Sequence, residues 1–248
     1  MKKLNIYYSE EFYQLFGKHA LMNPGTVKLG DIINCDTFDV VGSLSNLGIN
    51  FTEERQFDMP DVEPIYKSQG IRMGTLSAGQ EKVAKFGLTF STDNSLFLST
   101  KGSKVLRIAE DNIGRNNLGS QVIAKYNQGK WERNWIVVTE VECAKKAIII
   151  LSNGKNAEIE IKTDSNLPLA IGEMINANLS FGSESSIGFR YVMPEGEYRS
   201  VLFKAKGIDE SFFRGTRFIS RDFPSPETVP SPFDVSNEPN YLTEFMWK

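Results

Sequence analysis

The sequence predicts an α+β, β-rich fold: a twisted antiparallel sheet with a few short helices and an extended C-terminal tail. Many short runs alternate apolar with polar residues, and turn residues separate those runs. The 248-residue chain also contains 17 phenylalanines, a content typical of a β-rich core. Because the length suits one large domain, we expect a single α+β domain over residues 1–212 and a tail over residues 213–248.

The composition narrows the classes of function. Hydrophobic residues make up 40% of the chain and charged residues 24%, which is ordinary for a globular protein. The formal net charge of −3 gives no reason to expect nucleic acid as a partner. No apolar run reaches the roughly 18 to 20 residues of a transmembrane helix. The opening MKKLNIYYSEEF has no signal-peptide core, so we expect a cytoplasmic protein with Cys35 and Cys143 as reduced thiols.

The first predicted element is a short helix. Ser9 is its expected N-cap, and Phe12, Leu15 and Phe16 form one apolar face. His19 follows, where a lone histidine is expected at the surface or as a C-terminal cap rather than as a catalyst. Short strands are then predicted over residues 31–34, 39–44 and 49–52, and a loop or edge connection over the proline-containing residues 57–66.

Residues 66–108 are predicted to form three or four strands, and their charge is one-sided. The segment holds seven basic residues against two acidic ones, a net charge of +5 in an acidic chain. Solvated sheet faces and edge lysines that block aggregation are one explanation. The other explanation is an anionic partner such as a lipid surface, for which the candidate membrane-facing residues are Lys82, Lys85, Lys101, Lys104 and Arg107.

A second helix is predicted over residues 116–128, and a valine-rich strand follows it. That strand continues into residues 146–162, which are predicted as a hairpin about the favoured type I′ turn Asn153-Gly154. The first arm of this hairpin is an unbroken apolar run, whereas the second arm alternates apolar with charged residues. A further hairpin is predicted around residues 194–196.

The C-terminal tail differs in composition from the rest of the chain. Residues 222–248 hold five of the ten prolines and five acidic residues against one lysine, a net charge of −4. We expect the proline-rich part to run extended over the surface. A short helix is predicted at the end, and the apolar side expected to dock onto the body consists of Tyr241, Leu242, Phe245 and Met246. Arginines that would suit a trypsin-like protease precede the prolines: Arg214, Arg217 and Arg221.

The sequence carries no recognisable catalytic or metal-binding motif. The patterns CxxC, HExxH, GxSxG, GxGxxG and GxxxxGK[ST] do not occur in a suitable strand–helix setting. His19 is the one available imidazole base, which argues against a thiol protease built on either cysteine. Asp58, Asp61 and Glu63 are more simply solvent-facing charges than a metal or acid–base site. We therefore expect no enzyme activity and no cofactor.

The order of elements resembles that of the gasdermin pore-forming domain, especially in the compact bacterial gasdermin-like proteins. A short helix precedes strands with the sequence VGSLSNLG, and the basic β region and a helix follow. Next come IVVTEVE, KAIIILSNGKNAEIEIK, a second β region over residues 169–206 and a short C-terminal segment. The resemblance covers residues 10–210. One departure is that no cysteine precedes Cys35, whereas bacterial gasdermins typically carry one near the N-terminus that can be acylated.

The resemblance implies a membrane function. Residues 70–108 and 147–206 would hold two regions that rebuild into membrane-spanning hairpins, and the tail would be a repressor that a protease removes. The implied partners are further copies of the chain in a homo-oligomer, a lipid membrane and an activating protease. The implied location is the cytoplasm before activation and the membrane after it, and the implied setting is bacterial cell death in anti-phage defence.

Two alternatives stay open. One is a non-enzymatic β-rich binding or assembly protein whose C-terminal tail latches onto a partner subunit. The other is an enzyme with an unrecognised site. A barrel-forming strand needs roughly 9 to 11 residues that alternate between lipid and lumen. Segments 83–90, 95–108, 157–162 and 187–193 have that alternation in part.

Overall fold

A computed structural model describes residues 8–9, 12–21, 23–59, 65–68, 70–76, 85–92, 95–109, 118–152, 154–163, 179–211 and 215–220. Two helices have defined bounds among them, the short 3-10 helix Ser45–Leu47 and the α-helix Leu118–Asn127. The strands, in chain order, are β1 (His19–Ala20), β2 (Asp31–Asn34), β3 (Val40–Ser43), β4 (Glu53–Met59), β5 (Ile65–Lys67), β6 (Ile71–Leu76), β7 (Lys85–Phe90), β8 (Leu96–Lys101), β9 (Ser103–Ile108), β10 (Trp135–Ala144), β11 (Lys146–Ser152), β12 (Ala157–Thr163), β13 (Leu179–Ser185), β14 (Ile187–Met193), β15 (Arg199–Ser211) and β16 (Gly215–Ser220).

These strands form three antiparallel sheets within the described part of the chain. Sheet A has the order β1-β15-β10-β2-β3, with β16 also paired to β15, β9 to β10, and β4 to β9. Sheet B has the order β14-β11-β8-β5, and sheet C the order β13-β12-β7-β6. The predicted α+β, β-rich antiparallel fold class is confirmed. The predicted second helix is confirmed over Leu118–Asn127.

Three stretches of chain, here called ribbons 1, 2 and 3, each pass through all three sheets. Ribbon 1 is β7, β8 and β9; ribbon 2 is β12, β11 and β10; ribbon 3 is β13, β14 and β15. Ribbon 2 pairs with both of the others in sheet C, again in sheet B, and again in sheet A. The lateral order of the ribbons is therefore the same throughout, and the three sheets are one three-stranded band that bends twice.

The hairpin predicted over residues 146–162 is wrong, and so is the one predicted around residues 194–196. β11 pairs with β8 and β14, whereas β12 pairs with β7 and β13, so the two arms about Gly154 belong to different sheets. In the same way, β14 lies in sheet B and β15 in sheet A. A turn signal in sequence marks a reversal of direction, but the chain can reverse between two stacked layers as well as within one sheet.

The observed bounds of several strands differ from the predicted ones. The strands predicted over 31–34 and 39–44 are present as β2 and β3, but residues 49–52 lie outside any strand and β4 begins at Glu53. The predicted loop or edge connection contains two edge strands. Among the described strands, β4 has β9 as its single partner and β5 has β8 as its single partner. β16 pairs with β15 from Gly215 to Ser220, so sheet A extends past the predicted domain end at residue 212.

His19 lies in the core and not at the surface, where it was predicted. Residues 8–9 and 12–16 are helical, and Ser9 lies within this helical stretch instead of capping it. The Ser9 hydroxyl lies 3.1 Å from Nδ1 of His19, and the His19 ring is 0% exposed and stacked 4.6 Å from that of Tyr13. Of the predicted apolar face, Phe12 is fully buried, whereas Leu15 is 41% exposed.

Candidate functional site

The central strands of sheet B, β8 and β11, are buried on both faces, which explains the unbroken apolar run of β11. Ala147, Ile149 and Leu151 pack in one cluster with the N-terminal residues Tyr8 and Phe12. The intervening Ile148 and Ile150 pack instead in a second cluster with residues of sheet C, among them Ala157, Ile159 and Ile161. Since alternate residues of a strand point to opposite faces, a strand covered on both sides needs apolar residues at every position. Sheet B is the middle layer of the molecule.

The described side chains of sheet C form one apolar and one polar face. On β12, Ala157, Ile159 and Ile161 are at most 1% exposed and face sheet B, whereas Glu158 is exposed and Glu160 half-buried. β7 follows the same alternation, with Leu88 and Phe90 buried between partly exposed neighbours, and β6 has Ile71 buried next to exposed Arg72. This alternation is the pattern of a sheet with protein on one side and water on the other. It is also the pattern of a strand in a transmembrane barrel.

The strands of sheet C are two antiparallel hairpins lying side by side. β6 pairs with β7 and β12 with β13, and β7 joins the hairpins by pairing with β12. The two regions that the gasdermin resemblance points to, 70–108 and 147–206, each contain one of these hairpins. The connections 77–84 and 164–178 lie outside the described residues.

The strand register brings two lysines together at the connection end of both hairpins. Lys85, the first residue of β7, is the cross-strand partner of Lys162 on β12. Lys85 is also opposite Leu76, the last residue of β6. Lysine positions at this end of the sheet suit an anionic surface. Lys82 precedes them in the chain and lies outside the described residues.

The other predicted membrane-facing residues lie away from the hairpin strands. Lys101 ends β8 in sheet B, opposite Lys146. Lys104 is in sheet A, with its Nζ 4.2 Å from the centre of the Tyr198 ring. Arg107, also in sheet A, makes a 3.0 Å ion pair with Glu54. The five candidates therefore do not form a single row, and sequence alone did not identify Lys162.

The remaining predicted site residues can be placed only in part. Arg217 is exposed and lies on β16, opposite Asp209 of β15. Arg214 and Arg221, at either side of β16, lie outside the described residues, as do Tyr241, Leu242, Phe245 and Met246. Their predicted roles as cleavage positions and as a repressor face stay predictions.

The bend between sheets A and B is a feature that sequence reasoning missed. Ribbon 1 turns at Gly102, which has a positive φ of 62°. Ribbon 2 turns at Lys145, whose N–H donates to the Lys101 carbonyl at 3.0 Å, and the Gly196 N–H of ribbon 3 donates to the Lys145 carbonyl at 3.2 Å. Backbone hydrogen bonds thus hold the bends of the three ribbons next to one another. The available signal was a glycine between two apolar runs at residue 102.

Glu142 lies just before this bend and is a buried carboxylate, 2% exposed. The Lys18 ammonium is 2.6 Å from its Oε2, and the Tyr66 hydroxyl donates at 3.3 Å. Burial lowers the pKa of Lys18, but the charge and hydrogen bond of Glu142 outweigh it, so the net pKa lies above the ordinary value. Burial, followed by the charge of Glu142, raises the pKa of Tyr66. Three distant segments therefore meet in one charged group.

Two kinds of feature are absent from the part of the chain that the structure describes. Among the described residues, no three His, Cys, Asp or Glu side chains come together as a metal site. No helix within those residues combines the length and apolar character needed to cross a membrane.

Among the solved structures that are similar to this chain are two gasdermins. One is the cryo-EM structure of the gasdermin A3 membrane pore, at 12% sequence identity and a TM-score of 0.32, with 93% of this chain and 98% of that chain covered. The second is a bacterial gasdermin from Bradyrhizobium tropiciagri, at 12% identity and a TM-score of 0.32, with 86% of this chain and 90% of that chain covered.

The resemblance drawn from the element order names the same kind of protein as these two structures. No protein-family model and no curated protein matches the chain.

Proposed function

We propose that this protein is a regulated membrane pore-former in which the two hairpins of sheet C leave sheet B and insert into a bilayer. The observation that carries the proposal is the alternation of sheet C, with Ala157, Ile159 and Ile161 on one face and Glu158 and Glu160 on the other. In the resting chain, sheet B covers the apolar face. In a bilayer, lipid would cover the same face, and the polar face would line water.

Once sheet C has separated from sheet B, the backbone N–H and C=O groups along its edge strands need hydrogen-bond partners elsewhere. Unpaired strand edges are costly in hydrocarbon, so insertion is feasible only if several chains close a barrel. This requirement makes the active form a homo-oligomer. The sheet C strands are six or seven residues long. A barrel strand has roughly 9 to 11 residues. We therefore propose that residues 77–84 and 164–178 lengthen the hairpins on insertion.

The tail is the proposed repressor. Residues 222–248 of the tail carry a net charge of −4, opposite in sign to the lysines at the connection end of the hairpins, and their face of Tyr241, Leu242, Phe245 and Met246 is suited to docking on an apolar surface. Burial of four such side chains contributes several kcal/mol, enough to shift a marginal equilibrium between two states. Among the candidate cleavage positions we favour Arg221, which directly follows β16, over Arg217, whose backbone is paired with β15. The proposed setting is a cytoplasmic protein that kills its bacterial host cell during phage infection.

Leakage of dye from liposomes tests the proposal. The full-length chain and a 1–221 truncation are mixed with vesicles of anionic lipid and, separately, with vesicles of neutral lipid. We expect leakage with the truncation and anionic vesicles, and none with the full-length chain. The matched variants Ile159→Glu and Glu158→Gln, on opposite faces of β12, should abolish and preserve leakage, respectively. A truncation that stays folded and releases nothing contradicts the proposal.

One observation favours the assembly alternative. β3 pairs with β2 alone among the described strands, and Val40 and Val41 at this edge of sheet A are 45% and 44% exposed. An apolar strand edge is a template for addition of a further strand. A cavity of about 220 Å³, lined by Leu21, Val27 and Phe38 among others, adjoins Val40. If size-exclusion chromatography shows a full-length oligomer that Val40→Lys dissociates, assembly through this edge is the better account.

A further inference from the structure

We propose that Glu142, with Lys18 and Tyr66, is a latch that sets the threshold at which the bent ribbons rearrange. This inference rests on the proposed pore-forming function and concerns its regulation. The three side chains come from segments far apart in sequence. They meet at the bend between sheets A and B, beside sheet B, the layer from which sheet C separates in the proposed rearrangement.

The position of Glu142 makes it sensitive to the bend. It lies on β10 in sheet A, where its cross-strand neighbours are Val105 and Leu202. Tyr66 lies on β5 in sheet B, opposite Leu98. The 3.3 Å hydrogen bond from Tyr66 to Glu142 therefore spans the bend and joins one sheet to the other. Any motion that opens sheet B away from sheet A must break it.

Lys18 extends the latch to the N-terminal segment. The residues before it cover the face of sheet B opposite sheet C, with Phe12 fully buried in that cluster. The ring of Phe12 lies 5.4 Å from that of Tyr66, and Phe16 lies 5.2 Å from the same ring. The ion pair of Lys18 with Glu142, at 2.6 Å, attaches the C-terminal end of this N-terminal segment to sheet A. Release of the ion pair therefore loosens the layer that holds sheet B in place.

The burial of Glu142 gives the latch a distinctive response to substitution. Removal of one partner leaves a buried charge without compensation, which is strongly destabilising. Replacement of both partners by apolar side chains of similar size removes the charge and preserves the packing, and such replacements are often neutral or stabilising. An ordinary surface ion pair shows neither effect. Glu140 provides the comparison, since it lies on the same strand and makes a 2.9 Å ion pair with Lys204, whose side chain is 47% exposed.

The experiment uses the full-length chain with a specific protease site inserted after residue 221. Hydrogen exchange of the uncleaved protein in solution measures the latch without any membrane, over residues 12–21 and 65–68. Leakage from anionic vesicles after cleavage measures the rearrangement. The variants are Lys18→Met, Lys18→Met with Glu142→Leu, Tyr66→Phe as a milder change that keeps the ring, and Glu140→Gln as the control.

We expect Lys18→Met to raise exchange in both segments and to speed leakage by about tenfold, the equivalent of roughly 1.4 kcal/mol in a barrier. The double variant should return both readouts to the wild-type level or below it, and Glu140→Gln should change neither by more than about twofold. If Lys18→Met does not fold, Tyr66→Phe must show the same changes to a smaller extent. Equal effects of Lys18→Met and Glu140→Gln overturn the latch, as does a double variant that is looser than Lys18→Met. If exchange follows the expected order but no protein leaks, the latch holds and the pore-forming proposal fails.

Discussion

Ile150 of β11 and Ile159 of β12 pack in one buried cluster between sheets B and C, although their strands share no backbone pairing. Side-chain packing is therefore what joins β11 and β12, two consecutive strands of ribbon 2, across the layers. This contact is present in the resting state and absent from the proposed inserted state, because sheet C can leave sheet B only by exposing this cluster.

Truncation of this packing should destabilise the resting fold. We expect Ile159→Ala to lower the free energy of unfolding by about 2–5 kcal/mol, because it leaves a cavity between two layers. Glu158→Ala, at the adjacent exposed position, should change it by less than about 0.5 kcal/mol. Urea denaturation followed by circular dichroism measures both. Equal losses at the two positions would mean that sheet C is not packed on sheet B in solution.

Gly102 should be intolerant of a side chain. Its φ of 62° is left-handed, and a Cβ placed there would lie 3.3 Å from the Lys145 side chain. We expect Gly102→Ala to cost roughly 1–2 kcal/mol, the penalty for a left-handed non-glycine residue. Gly74→Ala is the matched control, since Gly74 lies on β6 with no positive φ and open space around its Cα. Thermal unfolding of both variants at one protein concentration compares them, and a stable Gly102→Ala chain would argue against the bend.

Tyr66 should make stability depend on pH in the alkaline range. Its pKa is raised in the folded chain. The stability it contributes is therefore complete below the ordinary tyrosine pKa of about 10 and is lost as the pH rises through the folded value. We expect wild-type stability to fall more steeply above about pH 10 than that of Tyr66→Phe, with a gap of about 1 kcal/mol at neutral pH from the lost hydrogen bond. Chemical denaturation at a series of pH values tests this, and parallel curves would contradict it.

Lys85 and Lys162 should contribute to attraction toward anionic membranes. Each lysine near such a surface contributes about 1 kcal/mol to the free energy of binding. A double variant that removes both charges should therefore associate with the membrane roughly 30-fold more weakly. Lys155→Gln is the matched control, because Lys155 is just before the opposite end of β12. Co-sedimentation of the 1–221 chain with vesicles that contain anionic lipid measures the affinity. Comparable losses for Lys155→Gln and for the double variant would show that the end of sheet C carrying Lys85 and Lys162 is not the one that meets lipid.

The sequence by itself determined that β12 has one covered face. The alternation of Ala157, Ile159 and Ile161 with charged residues predicted one buried face, and the unbroken run Ile148–Leu151 differs from it because both faces of that strand are buried. The helix Leu118–Asn127 and the strands β2 and β3 also followed from local pattern. Such features depend on neighbours three or four residues away at most, so they are legible in a single chain.

Only the tertiary structure decided which strands are partners. Hydrophobic alternation records that a face is covered but not what covers it, so a hairpin and a reversal between two layers look alike at Gly154. The bend at Gly102 and the meeting of Lys18, Tyr66 and Glu142 depend on contacts between residues up to 124 positions apart. A buried carboxylate in particular has no local signature, because its burial is possible only once distant segments bring a cation and a hydroxyl to it.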